Sequence, residues 1–341
     1  MLAYDWPSTM GRPVRRASGT DRRRTGLIVA SVFLASALLV ALWFSIAGDA
    51  GDATHPSATP SAAASQQDEP TSPVASATPP TVDPNQPQVI DFPGAAGSPP
   101  DPGVWNYEIG GHGWGNGELE TYTSSTANSF VDGAGRLVIR ALRAKTRGTD
   151  GITRGYSSAR ITTAGKVLVQ PGSYVSAVLT APVGPGVWPA FWLIGANIDQ
   201  VGWPRSGELD VLEGDAPLPN EAHTAIHLSS ARNPSIDKSY GFSTPGATVD
   251  VGESLDAGPH EYGVYFDDKV VRFFIDRKQN MVVSAAEATA SGRLWPFGKP
   301  QYMILNVAID SSGSATKATF PQDLIVSNIS IWPHGIPFAT G

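Results

Sequence analysis

The chain has 341 residues, 41% of them hydrophobic and 16% charged, no cysteine, and a formal net charge of −7. Without cysteine there is no disulfide framework, no thiolate nucleophile and no cysteine-based metal site. The acidic balance argues against nucleic acid and polyanions as partners.

From the N-terminus, residues 1–26 form a basic tail, expected to be cytoplasmic, in which arginines at 12, 15, 16, 22, 23 and 24 are opposed only by Asp5 and Asp21. Residues 27–47 are an uncharged apolar run, long enough at about 1.5 Å per residue to cross a roughly 30 Å hydrocarbon core. The positive flank predicts a cytoplasmic N-terminus with the rest of the chain exported. The length favours a transmembrane signal anchor over a cleaved signal-peptide apolar region of about 7–15 residues, although Ser45-Ile46-Ala47 offers a small-x-small cleavage site. The expected location is therefore outside the cytoplasm, either membrane-anchored through this helix or secreted after cleavage. Setting residues 1–24 aside leaves 18 basic against 29 acidic residues, a formal charge of −11.

Residues 48–88 are dominated by Ala, Ser, Thr, Pro, Asp and Gln, with no aromatic, Lys or Arg. Such a segment cannot bury enough apolar surface to offset its ordering entropy and reads as a disordered linker. Residues 89–341 suit one all-β domain. Short β-branched or aromatic runs recur between Gly, Pro and Asp turns at 137–140, 174–179, 261–266, 270–275, 303–308 and 324–332, with a hairpin turn at Asp267-Asp268-Lys269. That pattern predicts a β-sandwich.

Within it, Ser206-Gly207-Glu208-Leu209-Asp210-Val211-Leu212-Glu213-Gly214 places three acids in an apolar, strand-like run. Buried carboxylates cost several kcal/mol each unless paired or hydrogen-bonded. Glu208 and Asp210 share a face, whereas Glu213 at i+5 belongs on the other in a regular strand. A β-bulge at Val211-Leu212 would reset the alternation and bring all three together. Two carboxyl groups on one face are what hydrolysis of a glycosidic bond requires, and like charges so close raise at least one pKa.

The acidic trio, as Glu-x-Asp-x-x-Glu, resembles glycoside hydrolase family 16 in its laminarinase-like branch. Other segments fall in the family's order: Trp114-Gly115-Asn116-Gly117-Glu118-Leu119-Glu120-Thr121-Tyr122-Thr123, Tyr156-Ser157-Ser158-Ala159-Arg160-Ile161-Thr162-Thr163, Gly186-Val187-Trp188-Pro189-Ala190-Phe191-Trp192-Leu193-Ile194-Gly195 and Met303-Ile304-Leu305-Asn306-Val307-Ala308. The resemblance covers residues 89–333. It implies a jelly-roll sandwich with a concave glycan-binding cleft and a retaining endo-β-glucanase, most simply β-1,3-specific. Glu208 would be the nucleophile, Glu213 the acid/base, and Asp210 the group that orients and tunes the nucleophile. Asn116 and Arg160 match family positions that contact sugar hydroxyls, and His227 matches a histidine beside the acid/base.

Trp188 and Trp192, four apart on one strand, share a face. They are candidates for stacking on sugar, with core packing the competing account. Trp203, in a Pro-rich turn before the acidic run, is expected at the rim. No His-Glu-x-x-His, EF-hand or phosphate loop is present, so no cofactor or metal is required. Family members often carry a structural calcium, whose ligands are not placed here. The partner is a polysaccharide, β-glucan by resemblance, and a monomer is expected.

The sequence departs from the family where Leu228 follows His227 in place of an aromatic, where Asp310-Ser311-Ser312-Gly313 lacks a tryptophan, and in the final strand, Ser327 to Trp332. These changes touch substrate preference. A wall-remodelling transglycosylase and a non-catalytic glycan-binding domain remain the alternatives.

Overall fold

In the computed structural model, residues 86–214 and 218–339 are described. The tail, the apolar run and the linker up to residue 85 lie outside them, and among the described residues no helix is long and apolar enough to cross a membrane. The six runs read as strands fall in Leu137–Ala141, Tyr174–Thr180, His260–Phe266, Val270–Ile275, Gln301–Ile309 and Gln322–Trp332.

The fold is an all-β sandwich. One sheet is ordered Lys278–Ser284, Val270–Ile275, His260–Phe266, Tyr174–Thr180, Gln322–Trp332, Leu137–Ala141, Ser129–Val131, with Gln88–Ile90 also pairing to Gln322–Trp332. The other, which carries the acids, is ordered Thr248–Asp250, Glu221–His227, Glu208–Glu213, Val187–Gly195, Gln301–Ile309, Arg160–Thr162, Asn106–Tyr107. Its four middle strands are named here for their side chains: the histidine strand (Glu221–His227), the acidic strand (Glu208–Glu213), the tryptophan strand (Val187–Gly195) and the asparagine strand (Gln301–Ile309).

Alternation along these strands sorts their side chains between two faces. Phe191, Leu193, Leu209, Val211, Leu212 and Ile226 join Val175, Ala177, Leu179, Val264 and Phe273 of the opposite sheet in one buried cluster. A second cluster, containing Ala190, Trp192, Ile194, Trp203, Tyr302 and Ile304, covers the other face of the acid-bearing sheet. Covered on both faces, the asparagine strand is buried along its whole length. This is why residues 303–308 read as an apolar run with little alternation.

The bulge falls where side-chain parity required it. Phe191 pairs with Leu212 and Trp192 with Asp210, which leaves Val211 as the extra residue. On the other side, Asp210 pairs with Ala225 and Glu213 with His223, so three steps along the acidic strand oppose two along its neighbour. Val211 and Leu212 both enter the core, and Glu213 returns to the face of Glu208 and Asp210. The strand starts from Gly207, whose φ of +76° favours glycine and where a Cβ would collide with the Pro296 ring.

Candidate active site

The three acids stand on the outer face of the sheet, in a depression that is also lined by Trp114, Asn116, Arg160, Trp188, Trp192, His227 and Asn306. Arg160, Asn306, Trp188 with Trp192, the acids and His227 sit on five successive strands, so the cleft runs across the sheet.

Each glutamate receives an indole N–H. Trp203 Nε1 donates to Glu208 Oε2 at 3.0 Å, and Trp188 Nε1 donates to Glu213 Oε1 at 3.1 Å. Trp203, expected at the rim, is instead buried in the apolar cluster on this face. The turn packs it against this face, where its contribution is the hydrogen bond to Glu208. Trp192 is buried as well, and its Nε1 donates to Asn306 Oδ1 at 2.8 Å. Trp188 is half-buried and carries the more accessible ring.

His227 lies opposite Glu208 in the pairing register, while Glu213 faces His223. The expectation that His227 flanks Glu213 is thereby corrected: the two strands run antiparallel, so His227 stands at the Glu208 end of the acidic strand, away from Glu213. His227 Nε2 lies 3.3 Å from Asp210 Oδ2 and 3.9 Å from Glu208 Oε1, and Nδ1 lies 2.8 Å from Asp237 Oδ2. Burial works against charge on this ring, but Asp210, Asp237 and Glu208 hold its pKa well above the ordinary imidazole value. One oxygen each of Glu208 and Asp210 and a nitrogen of His227 lie within 4.8 Å of one another. That spacing would also suit a cation.

Burial, and after it the charge of Asp210, push the Glu208 carboxyl up to about 8. A carboxyl with a raised folded-state pKa contributes stability that is fully present below its unfolded value of about 4.5 and is lost as pH rises through about 8. Glu208→Gln removes this titration, so the variant gains stability relative to wild type between pH 5 and pH 9, on the order of a few kcal/mol at about 1.4 kcal/mol per unit. Urea unfolding of both proteins at the two pH values checks this, and a difference that stays constant with pH would refute it.

Arg160 closes the other end of the cleft. Its guanidinium pairs with Glu108 and is sandwiched 4.7 Å from the ring centroids of both Trp114 and Trp192. Cation–π contact holds the group flat, and burial opposes its charge less than Glu108 and Glu118 support it. Asn116 Nδ2 donates to Glu118 Oε1 at 3.1 Å.

The structure adds residues to which sequence reasoning gave no role. Asp237 lies ten positions past His227 in a connection, with no local pattern to mark it. Glu118 and Asn306 stand in segments that carry the family resemblance, and their placement shows what they hold. Asn306 Nδ2 donates to Tyr122 Oη at 3.1 Å, and Tyr122 donates to Glu118 Oε2 at 2.9 Å. Behind them, burial and then Glu118 raise Glu120 well above the carboxylate range.

A family model described as "XgeA-like, catalytic GH16 domain" matches residues 120–251. The chain is 31% identical over 247 residues to a β-glucanase of Rhodothermus marinus, covering 68% of this chain and 80% of that protein. Among solved structures, the laminarinase from Rhodothermus marinus aligns at a TM-score of 0.62 and 28% identity, covering 73% of this chain and 96% of that one. The laminarinase catalytic domain from Thermotoga maritima MSB8 aligns at 0.59 and 33% identity, covering 68% and 92%.

Proposed function

The chain belongs to glycoside hydrolase family 16, in its laminarinase-like branch, and on that premise we propose that it is a retaining endo-glycosidase that cuts β-1,3-linked glucan. The observation that carries the reading is the bulged acidic strand, which sets Glu208, Asp210 and Glu213 on one face with an indole N–H on each glutamate.

Glu208 attacks the anomeric carbon while Glu213 protonates the departing oxygen; Glu213 then takes a proton from water, which hydrolyses the glycosyl-enzyme. Attack requires the ionised form of Glu208, beside whose carboxyl Asp210 and His227 stand. The imidazolium of His227 and the Trp203 N–H stabilise the nucleophilic carboxylate. Arg160, Asn116 and the tryptophans hold the sugars on the glycone side, in a cleft open enough across the sheet for internal units of a polymer. Exported beyond a membrane, the enzyme would meet such polymers directly.

The test is reducing-sugar release by the full-length protein from laminarin, mixed-linkage glucan, agarose and carrageenan, beside Glu208→Gln. Release from laminarin that vanishes in the variant is expected. Release from agarose or carrageenan alone would move the substrate class, and release undiminished in the variant would place the chemistry elsewhere.

A further inference from the structure

Phe242 is 63% exposed, more than any other large apolar side chain among the described residues. It is not on a loose loop. Backbone bonds join Ile226 and Tyr240 in both directions at 2.8 and 2.9 Å, and Thr224 N donates to Ala247 O at 2.7 Å. The segment between them is thus stitched to the histidine strand at both ends, and Gly241 passes close over Ala225, where a Cβ would meet the alanine methyl at 3.8 Å.

The pairing register places this segment on the cleft face. His227, Ala225 and His223 oppose Glu208, Asp210 and Glu213 in turn, so all six side chains share one face. Phe242 covers His223, with ring centroids 4.3 Å apart and planes inclined at 57°. His223 is a rigid base for it: the side chain is buried, its Nδ1 lies 2.8 Å from Thr248 Oγ1, and burial lowers its pKa to about 4, leaving it neutral. Arg160, Asn306 and Trp192 stand on the other side of the acids. Glu213 therefore has the glycone-holding groups on one side and His223 with Phe242 on the other.

We infer that the outward face of Phe242 is a stacking platform for a β-linked glucosyl unit on the leaving-group side of the cut, one unit beyond the sugar that Glu213 protonates. This rests on the glycanase reading. Aromatic rings offer a large, rigid apolar surface at low entropic cost, and the carbon–hydrogen face of a β-glucosyl ring is its complement. One neighbouring strand at about 4.8 Å from the acidic strand, with the ring stacked upon it, sets Phe242 beyond reach of the first unit. The same surface would receive an acceptor sugar once the leaving fragment has gone, so it also governs how often the glycosyl-enzyme is intercepted by sugar in place of water.

The experiment uses full-length wild type, Phe242→Leu and Phe242→Tyr on laminarihexaose labelled with ¹⁸O at its reducing end, with products resolved by mass. In the Leu variant, cuts that leave two or more units on the leaving side should fall about 2- to 10-fold relative to cuts that leave one. Products longer than the substrate should fall in parallel, and Tyr should restore both ratios. An unchanged cleavage pattern in Leu, or a Tyr variant that behaves like Leu, overturns the platform while wild-type activity leaves the glycanase reading standing. A wild type inactive on every β-glucan overturns both.

Discussion

Glu208→Gln and Glu213→Gln should each lower kcat/KM on β-glucan by roughly 10⁴-fold or more while leaving the fold in place. Gln keeps the shape of Glu and can still accept the indole N–H that each glutamate receives, so neither change opens a cavity. What Gln lacks is a carboxylate to form the glycosyl ester at 208 and a transferable proton at 213. The two losses are separable. With Glu213→Ala and a substrate bearing an activated aryl leaving group, protonation of that group is no longer needed, and azide can enter the space of the missing side chain to attack the glycosyl-enzyme. Rescue by azide, with a β-glycosyl azide as product, is expected for Glu213→Ala and not for Glu208→Ala. Rescue giving the α-azide at 213 would exchange the two roles, and full activity in both Gln variants would remove the site from this strand.

The bulge supplies the second large effect. Deleting Val211 leaves Glu-Leu-Asp-Leu-Glu, a regular alternation in which the last glutamate stays on the cleft face. Deleting Val211 and Leu212 together inverts it and turns that carboxylate into the core, where an unpaired charge costs several kcal/mol. The single deletion should therefore keep detectable turnover, at a stability cost of about 2–5 kcal/mol for the lost buried side chain, and the double deletion should lose both turnover and cooperative unfolding. Thermal unfolding followed by near-ultraviolet circular dichroism, with activity on the same samples, decides between them. An active double deletion would show that the face of Glu213 is immaterial.

Much of the fold follows from short-range pattern. The runs 137–140, 174–179 and 270–275 are strands because their side chains suit a pleated, half-buried surface, and they are strands in the structure. The acidic trio was legible for the same reason: three carboxylates in an apolar run conflict with burial, and parity demanded one extra residue between Asp210 and Glu213. Leu228 has a plain explanation as well. It follows a cleft-facing histidine, so it points inward, and it is fully buried in the core.

The neighbours of those acids were not legible. Trp203 looked like a rim residue because it sits in a turn, yet the turn packs it against the cleft face beside Glu208. His227 faces Glu208 and Asp210 because the regular antiparallel register of the two strands pairs it there, and Asp237 reaches it from a connection that has no periodicity. Sequence by itself determined the elements and the face each side chain takes, since alternation is set by adjacent backbone geometry. Which strands lie side by side, and so which groups share a proton or stack on a ring, was decided by the tertiary structure, because strand order depends on how both sheets close over one core.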